Sequence, residues 1–245
     1  MNVLDVSGMT VYYGPVRGVE DVTLGVGQGE VVALLGANGA GKSTVLKAIS
    51  GLVKPRAGQL ELDGRDLRAV KAAARVRLGL VQVPEGRRIF PALTVRENLE
   101  LAGLGTGGRA QRRERLATTL DRFPLLRPHL AKLAGMLSGG EQQVLAIARG
   151  MMAEPKVLMV DEPSLGLAPQ MIEAVYDLLV GIAATGTSVL LVEQNVTLAF
   201  EITQRAYVLQ QGRLVLSGPS RELADDPRVV DAYLGAGPAP APRPS

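Results

Sequence analysis

Three runs in this chain are apolar almost without interruption: VVALL at 31–35, VLMV at 157–160 and SVLLV at 188–192. Short runs without polar alternation fit strands covered on both faces, as in a parallel sheet flanked by helices. Each is followed by turn or polar residues and then by a helical pattern. Met171, Ile172, Val175, Leu178, Leu179 and Ile182 recur at helical spacing, with Pro169 near the start and Gly186 just past the end, positions that proline and glycine favour at helix termini. This βα repetition predicts an α/β core built on a parallel sheet.

Other segments read differently. NVLDV, VTLGV, GQLEL and RLVLSG are short and alternating, which predicts an antiparallel sheet packed beside the core. Between about 86 and 152 strand signals are few, and TVRENLELAGL and RAQRRERLATTLDRF, separated by GTGG, both read as helices. The expected organisation is one domain over about 1–235, with a core of about 1–85 and 153–235 and an all-helical insertion of about 86–152. The last residues, 236–245, belong to a Pro/Ala-rich tail, GAGPAPAPRPS, expected to be disordered.

Composition limits the function classes. No apolar run approaches the roughly 20 residues needed to cross a bilayer, and MNVLDVSGMT lacks the charged start and apolar stretch of a signal peptide. Any membrane role is therefore expected to be peripheral. The absence of cysteine excludes a disulfide framework and suits a reducing compartment. With one histidine in all, His129, in an expected surface loop, no transition-metal site is predicted. A net charge of +3 is too mild to argue for nucleic acid. The charge is unevenly spread, however: nine arginines against Glu97, Glu100, Glu114 and Asp121 lie between Gly86 and Pro128. That excess reads either as a solvated helical face or as a face meeting acidic headgroups or an acidic partner.

The chemistry starts at LLGANGAGKST, which follows the first buried run and opens a helix from Lys42 to Ser50. Gly36, Gly41, Lys42 and Ser43 match the GxxxxGK[ST] pattern. Glycines let successive backbone N–H groups turn inward onto phosphate oxygens, aided by the positive end of the helix. Lys42 can then reach the β- and γ-phosphates and the Ser43 hydroxyl can ligate Mg²⁺. The nucleotide segment expected from this pattern comprises Gly36, Ala37, Asn38, Gly39, Ala40, Gly41, Lys42, Ser43 and Thr44.

The run VLMV supplies the complement, because it ends in Asp161 and Glu162. A carboxylate at a buried strand end can hold Mg²⁺ directly or through water. Its neighbour can orient and polarise an attacking water. Hydrolysis of the nucleotide, rather than binding alone, is the favoured reading.

LSGGEQQ, 137–143, directly precedes the helical stretch QVLAIARGMM. Ser138 can cap that helix, and Gly139 and Gly140 allow close backbone approach to an anion. This segment resembles the signature motif of ABC-type ATPases, and nearly the whole chain follows their motif order. The resemblance implies an ABC ATPase fold: a P-loop (RecA-like) core, an antiparallel β subdomain and an inserted helical subdomain. It also implies a head-to-tail pair of ATPase subunits in which Ser138, Gly139 and Gly140 serve the partner's ATP. The pair would close on ATP and drive integral-membrane permease subunits at the cytoplasmic face of the membrane. Tyr13 stands where the family stacks an aromatic ring on adenine, with Tyr12 as the alternative if the register differs by one.

Three positions depart from the family's usual pattern. Glu85, in VPEGRRIF, falls where a glutamine normally helps to bind Mg²⁺, and Gln82 is the other residue near that place. Ala168 replaces an aspartate in DEPSLGLAP, and Gln194 stands at the position of a switch histidine. Gln194 can donate a hydrogen bond to the γ-phosphate but cannot exchange a proton near neutral pH, which leaves Glu162 to handle water. PEGRRIFPALTVRENL, SLGLAP, VEQN and AYLG together are similar to the LivF-type subunits of branched-chain amino-acid importers. That similarity implies a heteromeric ATPase pair and, indirectly, a solute-binding protein, with EGRR and the basic face toward the membrane partner. Closely similar subunits serve urea and other amino-acid importers, so these stay open as solutes. Soluble non-transport ABC ATPases and non-hydrolysing regulatory subunits are the alternatives from other classes. The former usually carry a long coiled coil or two fused nucleotide domains, and Glu162 argues against the latter.

Overall fold

The computed structural model describes residues 2–104 and 108–234. Along the chain the elements are β1 (Asn2–Tyr13), β2 (Val16–Gly27), β3 (Val31–Leu35), α1 (Lys42–Ile49), β4 (Ala57–Leu62), β5 (Arg65–Asp66), α2 (Ala72–Arg77) and β6 (Leu80–Val83). Then come α3 (Val95–Ala102), α4 (Arg109–Arg122), α5 (Gly139–Met151), β7 (Val157–Asp161), α6 (Pro169–Ala184) and β8 (Ser188–Glu193). The chain continues through α7 (Val196–Ile202), β9 (Arg205–Gln210), β10 (Arg213–Pro219), α8 (Ser220–Ala224) and α9 (Pro227–Leu234).

Two sheets form. The larger has the order β10-β9-β3-β8-β7-β6. Its pairs β9–β3, β3–β8, β8–β7 and β7–β6 are all parallel. The uninterrupted apolar runs are explained by how their side chains divide. Val31, Ala33 and Leu35 of β3 join one core with Leu158, Val160, Val189 and Leu191, while Val32 and Leu34 join a second with Val157, Met159, Leu190 and Val192. Successive strand residues point to opposite faces, and here each face is packed. The first core lies against α5 and α6, and the second fills the space between this sheet, α1 and the other sheet.

The smaller sheet, β2-β1-β4-β5, is antiparallel throughout. It contains NVLDV, VTLGV and GQLEL, as predicted, but not RLVLSG. That segment is β10, which pairs antiparallel with β9 at the edge of the larger sheet. Its alternation is real, since every second residue is half-buried. Alternation reports one solvated face and carries no information about which sheet receives the strand. A tight turn at Gln211 and Gly212, both with positive φ, returns the chain onto β9, as a two-residue hairpin favours. The parallel strands β6 and β9 had no clear signal, because Gln82 interrupts LVQV and Arg205, Tyr207 and Gln210 interrupt RAYVLQ.

Between β6 and β7 the regular elements among the described residues are all helices, joined by turns and loops, with one isolated bridge between Thr94 and Leu133. The predicted helices correspond to α3 and α4, and α3 starts with a reciprocal capping box between Thr94 and Glu97. The GTGG break lies, except for Gly108, outside the described residues, as does the tail from 235 onward.

Arg75 was not singled out by sequence, yet it is buried and organises the end of α1. Its guanidinium donates to the carbonyls of Ala48 and Ile49 at 2.9 and 2.6 Å, and to those of Leu67 and Val70 at 2.7 and 2.9 Å. The terminal carbonyls of a helix lack intrahelical partners and carry partial negative charge, so a cation is well placed there.

Candidate active site

The strands β3, β7 and β8 lie side by side in the sheet and deliver their C-terminal ends to one crevice, the usual ligand position of an open parallel sheet. From β3 the chain enters the loop 36–41 and then α1. Gly41 takes φ 111°, and an added Cβ there would lie 2.8 Å from Val19 Cγ1. At Gly36 an added Cβ would lie 2.5 Å from the Leu209 carbonyl oxygen. These two glycines are required for space and backbone conformation. No side chain caps α1 and no acid lies in its first turn, so its N–H groups are available to an anion.

Lys42 is only 5% exposed. Its Nζ donates to the carbonyls of Gly36 and Ala37 at 2.7 and 3.2 Å and lies 3.1 Å from Glu162 Oε1. Glu162 has φ 46°, a costly conformation for a residue with a β-carbon. Its N–H donates to the Val192 carbonyl at 2.8 Å, which ties the strained residue to β8.

A cavity of about 440 Å³ is lined by Tyr13, Asn38, Gly39, Gly41, Lys42, Ser43, Thr44, Glu85, Glu162 and Gln194. Ten residues predicted from separate parts of the chain therefore share one cavity. Arg17, Gly18 and Leu165 also line it; no phosphate-binding pattern marks them. Tyr12, the alternative to Tyr13, instead lies under the Arg56 guanidinium at 5.4 Å.

Asp161 lines an adjoining cavity of about 530 Å³ together with Ser43, Gln82 and Glu85, and the two cavities share Ser43 and Glu85. Gln82 accepts a hydrogen bond from the Ser50 hydroxyl at 2.5 Å. Burial pushes the Asp161 carboxyl up to about 6, and the negative charges of Glu162 and Glu85 add to the effect against Lys42. The site thus concentrates more negative charge than Lys42 offsets, a condition that a hard cation relieves. Among the described residues no group of three or more His, Cys, Asp or Glu side chains could hold a metal ion by itself. A Mg²⁺ fits this donor set when phosphate oxygens complete its coordination, the usual arrangement for that ion.

Ser138, Gly139 and Gly140 do not line this cavity; they form the start of α5. Ser138 caps the helix by a reciprocal box with Glu141, accepting from its N–H at 3.3 Å and donating its own N–H to Oε2 at 2.7 Å. Glu141 Oε1 also meets His129 Nε2 at 3.0 Å, and the lone histidine, expected in a surface loop, ends a 3₁₀ helix over Pro124–His129. Arg87 and Met171 lie over the two glycines, where added Cβ atoms would be 3.1 Å from Arg87 and 2.4 Å from Met171. Ala168 stands at the N-cap of α6 without a side-chain hydrogen bond, and Pro169 opens the helix in its place.

A parallel sheet with a glycine loop opening a helix, two acids at the end of β7 and a Ser-Gly-Gly helix start defines an ABC ATPase. Residues 19–165 match the ABC transporter family, and the chain belongs to it. It is 41% identical over 233 residues to the high-affinity branched-chain amino acid transport ATP-binding protein BraG of Pseudomonas aeruginosa, which covers 95% of this chain and 100% of that protein. The fold matches the ADP conformation of MJ1267, an ATP-binding cassette of an ABC transporter, with TM-score 0.87 and 25% identity over 96% of this chain and 99% of that one. It also matches the dimeric structure of MJ0796, a bacterial ABC transporter cassette, with TM-score 0.78 and 26% identity over 89% and 99% of the two chains. The protein is accordingly a nucleotide-binding ATPase of the ABC transporter class. Among the described residues no helix is long and apolar enough to cross a membrane.

Proposed function

We propose that this chain is the ATP-hydrolysing subunit of an importer for branched-chain amino acids, acting peripherally at the cytoplasmic face of the membrane. The observation that carries the catalytic part is the convergence of Lys42, Ser43, Glu162 and Gln194 on one cavity. The likeness to BraG over almost the full length of both chains supports the solute class.

In this reading the loop 36–44 wraps the phosphates of ATP, Lys42 swings from the Gly36 and Ala37 carbonyls to the β- and γ-phosphates, and Tyr13 stacks on the adenine. Ser43 and Asp161, with Glu85 beside them, would hold a Mg²⁺ ion. The ion, when bound, neutralises charge on the β- and γ-phosphates. Glu162 positions and deprotonates the attacking water, while Gln194 donates an amide hydrogen bond to the γ-phosphate and takes no proton. Ser138, Gly139 and Gly140, which stand apart from the chain's own cavity, serve the ATP of a second ATPase subunit paired head to tail. The helical insertion, about 86–152, and its arginine-rich face meet the permease subunits, and a solute-binding protein acts through them.

The expected outcome of purifying tagged full-length protein from membranes is a complex containing integral-membrane permease subunits and a second, different ATPase chain. Recovery of the chain with no membrane protein would contradict the importer assignment.

A further inference from the structure

The residue before Gln194 has no role in the chemistry of the cavity, yet its buried carboxylate accepts three hydrogen bonds. Glu193 ends β8 and is 1% exposed. The β7–β8 ladder runs as far as Asp161 opposite Val192, extended by the hydrogen bond from Glu162 N–H to the Val192 carbonyl. Past this point the Glu193 side chain supplies acceptors in place of backbone. Its Oε1 accepts from the Ser164 N–H at 3.1 Å and from the Tyr176 hydroxyl at 3.0 Å, and its Oε2 accepts from the Gln194 N–H at 3.1 Å.

The residue type follows from that environment. Three donors converge and an ionised carboxylate is acceptor-only, so each is satisfied; a glutamine would turn an NH₂ group toward at least one of them. Burying a carboxylate is costly unless it is hydrogen-bonded, and packing alone would be served better by another apolar residue like Leu191 or Val192. Burial, reinforced by the Glu193 charge, pushes the Tyr176 phenol up, so Tyr176 stays a hydrogen-bond donor.

We propose that Glu193 is a positioning residue for hydrolysis, its carboxylate tying the loop after Glu162, through Ser164, to the backbone of Gln194 and so setting the spacing of the two side chains that face the γ-phosphate. This rests on the reading of Glu162 and Gln194 given above. Small misplacements of reacting groups are enough to lower turnover severely.

The test measures ATP hydrolysis by the full chain carrying Glu193→Gln, Gln194→Ala, both, or Tyr176→Phe. Glu193→Gln is expected to lower kcat about tenfold with KM for ATP changed less than about twofold, because the groups that bind ATP are untouched. Gln194→Ala is expected to lower kcat by a similar factor, and Glu193→Gln added to it should cost less than about twofold more, since the group it places is gone. Tyr176→Phe keeps the carboxylate and removes one donor, for a loss of about threefold; it serves as the measurement if Glu193→Gln does not fold. Unchanged kcat in both Glu193→Gln and Tyr176→Phe, or losses that multiply fully in the double variant, would overturn the positioning role. If Gln194→Ala alone leaves kcat unchanged, the γ-phosphate reading of Gln194 falls and the inference with it; a slow Gln194→Ala beside a normal Glu193→Gln overturns the inference alone.

Discussion

Replacing Glu162 by glutamine is expected to lower the rate of ATP hydrolysis about 10²- to 10⁴-fold, the range for loss of a positioned general base, while ATP binding is retained. The substitution keeps the shape of the side chain and the backbone hydrogen bond from residue 162 to the Val192 carbonyl, so the strained turn at φ 46° is still held. What disappears is the carboxylate that can accept a proton from water. The change also removes a negative charge that raises the Asp161 carboxyl. Asp161 is then more readily ionised and the site is no less able to accept a cation with its nucleotide. Equilibrium binding of ATP and steady-state hydrolysis, measured on the same preparation, separate the two effects. Hydrolysis unchanged by the substitution would remove Glu162 from the mechanism.

Lys42→Ala is expected to give the opposite pattern, a loss at the binding step. Lys42 is nearly buried and sits among Glu162 and two loop carbonyls. Its removal leaves Asp161, Glu162 and Glu85 facing the phosphates without the cation that offsets them. Hydrogen bonds to charged groups contribute about 1.5–3 kcal/mol each, so losing even one or two of them lowers ATP affinity about 10²-fold. Titration with ATP reads this directly. Affinity within a factor of about three of the parent would mean that Lys42 does not meet the phosphates.

How much of this was legible in the sequence depended on the kind of signal. The loop 36–44 and the pair Asp161–Glu162 were visible because phosphate chemistry demands fixed spacings and because each follows an unbroken apolar run. Those runs are unbroken because β3, β7 and β8 pack on both faces. Edge strands and strands interrupted by polar residues lack that mark, which is why β6 and β9 passed unnoticed and RLVLSG was assigned to the wrong sheet. Glu193 and Arg75 were hidden for a different reason. Each satisfies groups brought near only by folding: Ser164 and Tyr176 for Glu193, and the end of α1 for Arg75. A buried charge whose partners come from distant segments leaves no spacing pattern behind. The engagement of His129 with Glu141 is equally non-local, joining the region before the Ser-Gly-Gly segment to the helix it opens.

The departures at Glu85, Ala168 and Gln194 acquire definite surroundings in the fold. Glu85 and Gln194 line the same cavity as Lys42, and Glu85 adds to the charge that raises Asp161. Ala168 leaves the start of α6 without a side-chain cap. Lys42, Ser43 and Glu162 remain beside Glu85 and Gln194 in that cavity.

The most direct test of the account is uptake of labelled leucine, isoleucine and valine, with urea as comparator, into proteoliposomes holding the complex that co-purifies with this chain. The expected result is accumulation of the branched-chain amino acids that requires ATP inside the compartment facing this subunit and disappears with Glu162→Gln. Accumulation of urea without leucine, or leucine uptake that persists in Glu162→Gln, would contradict it.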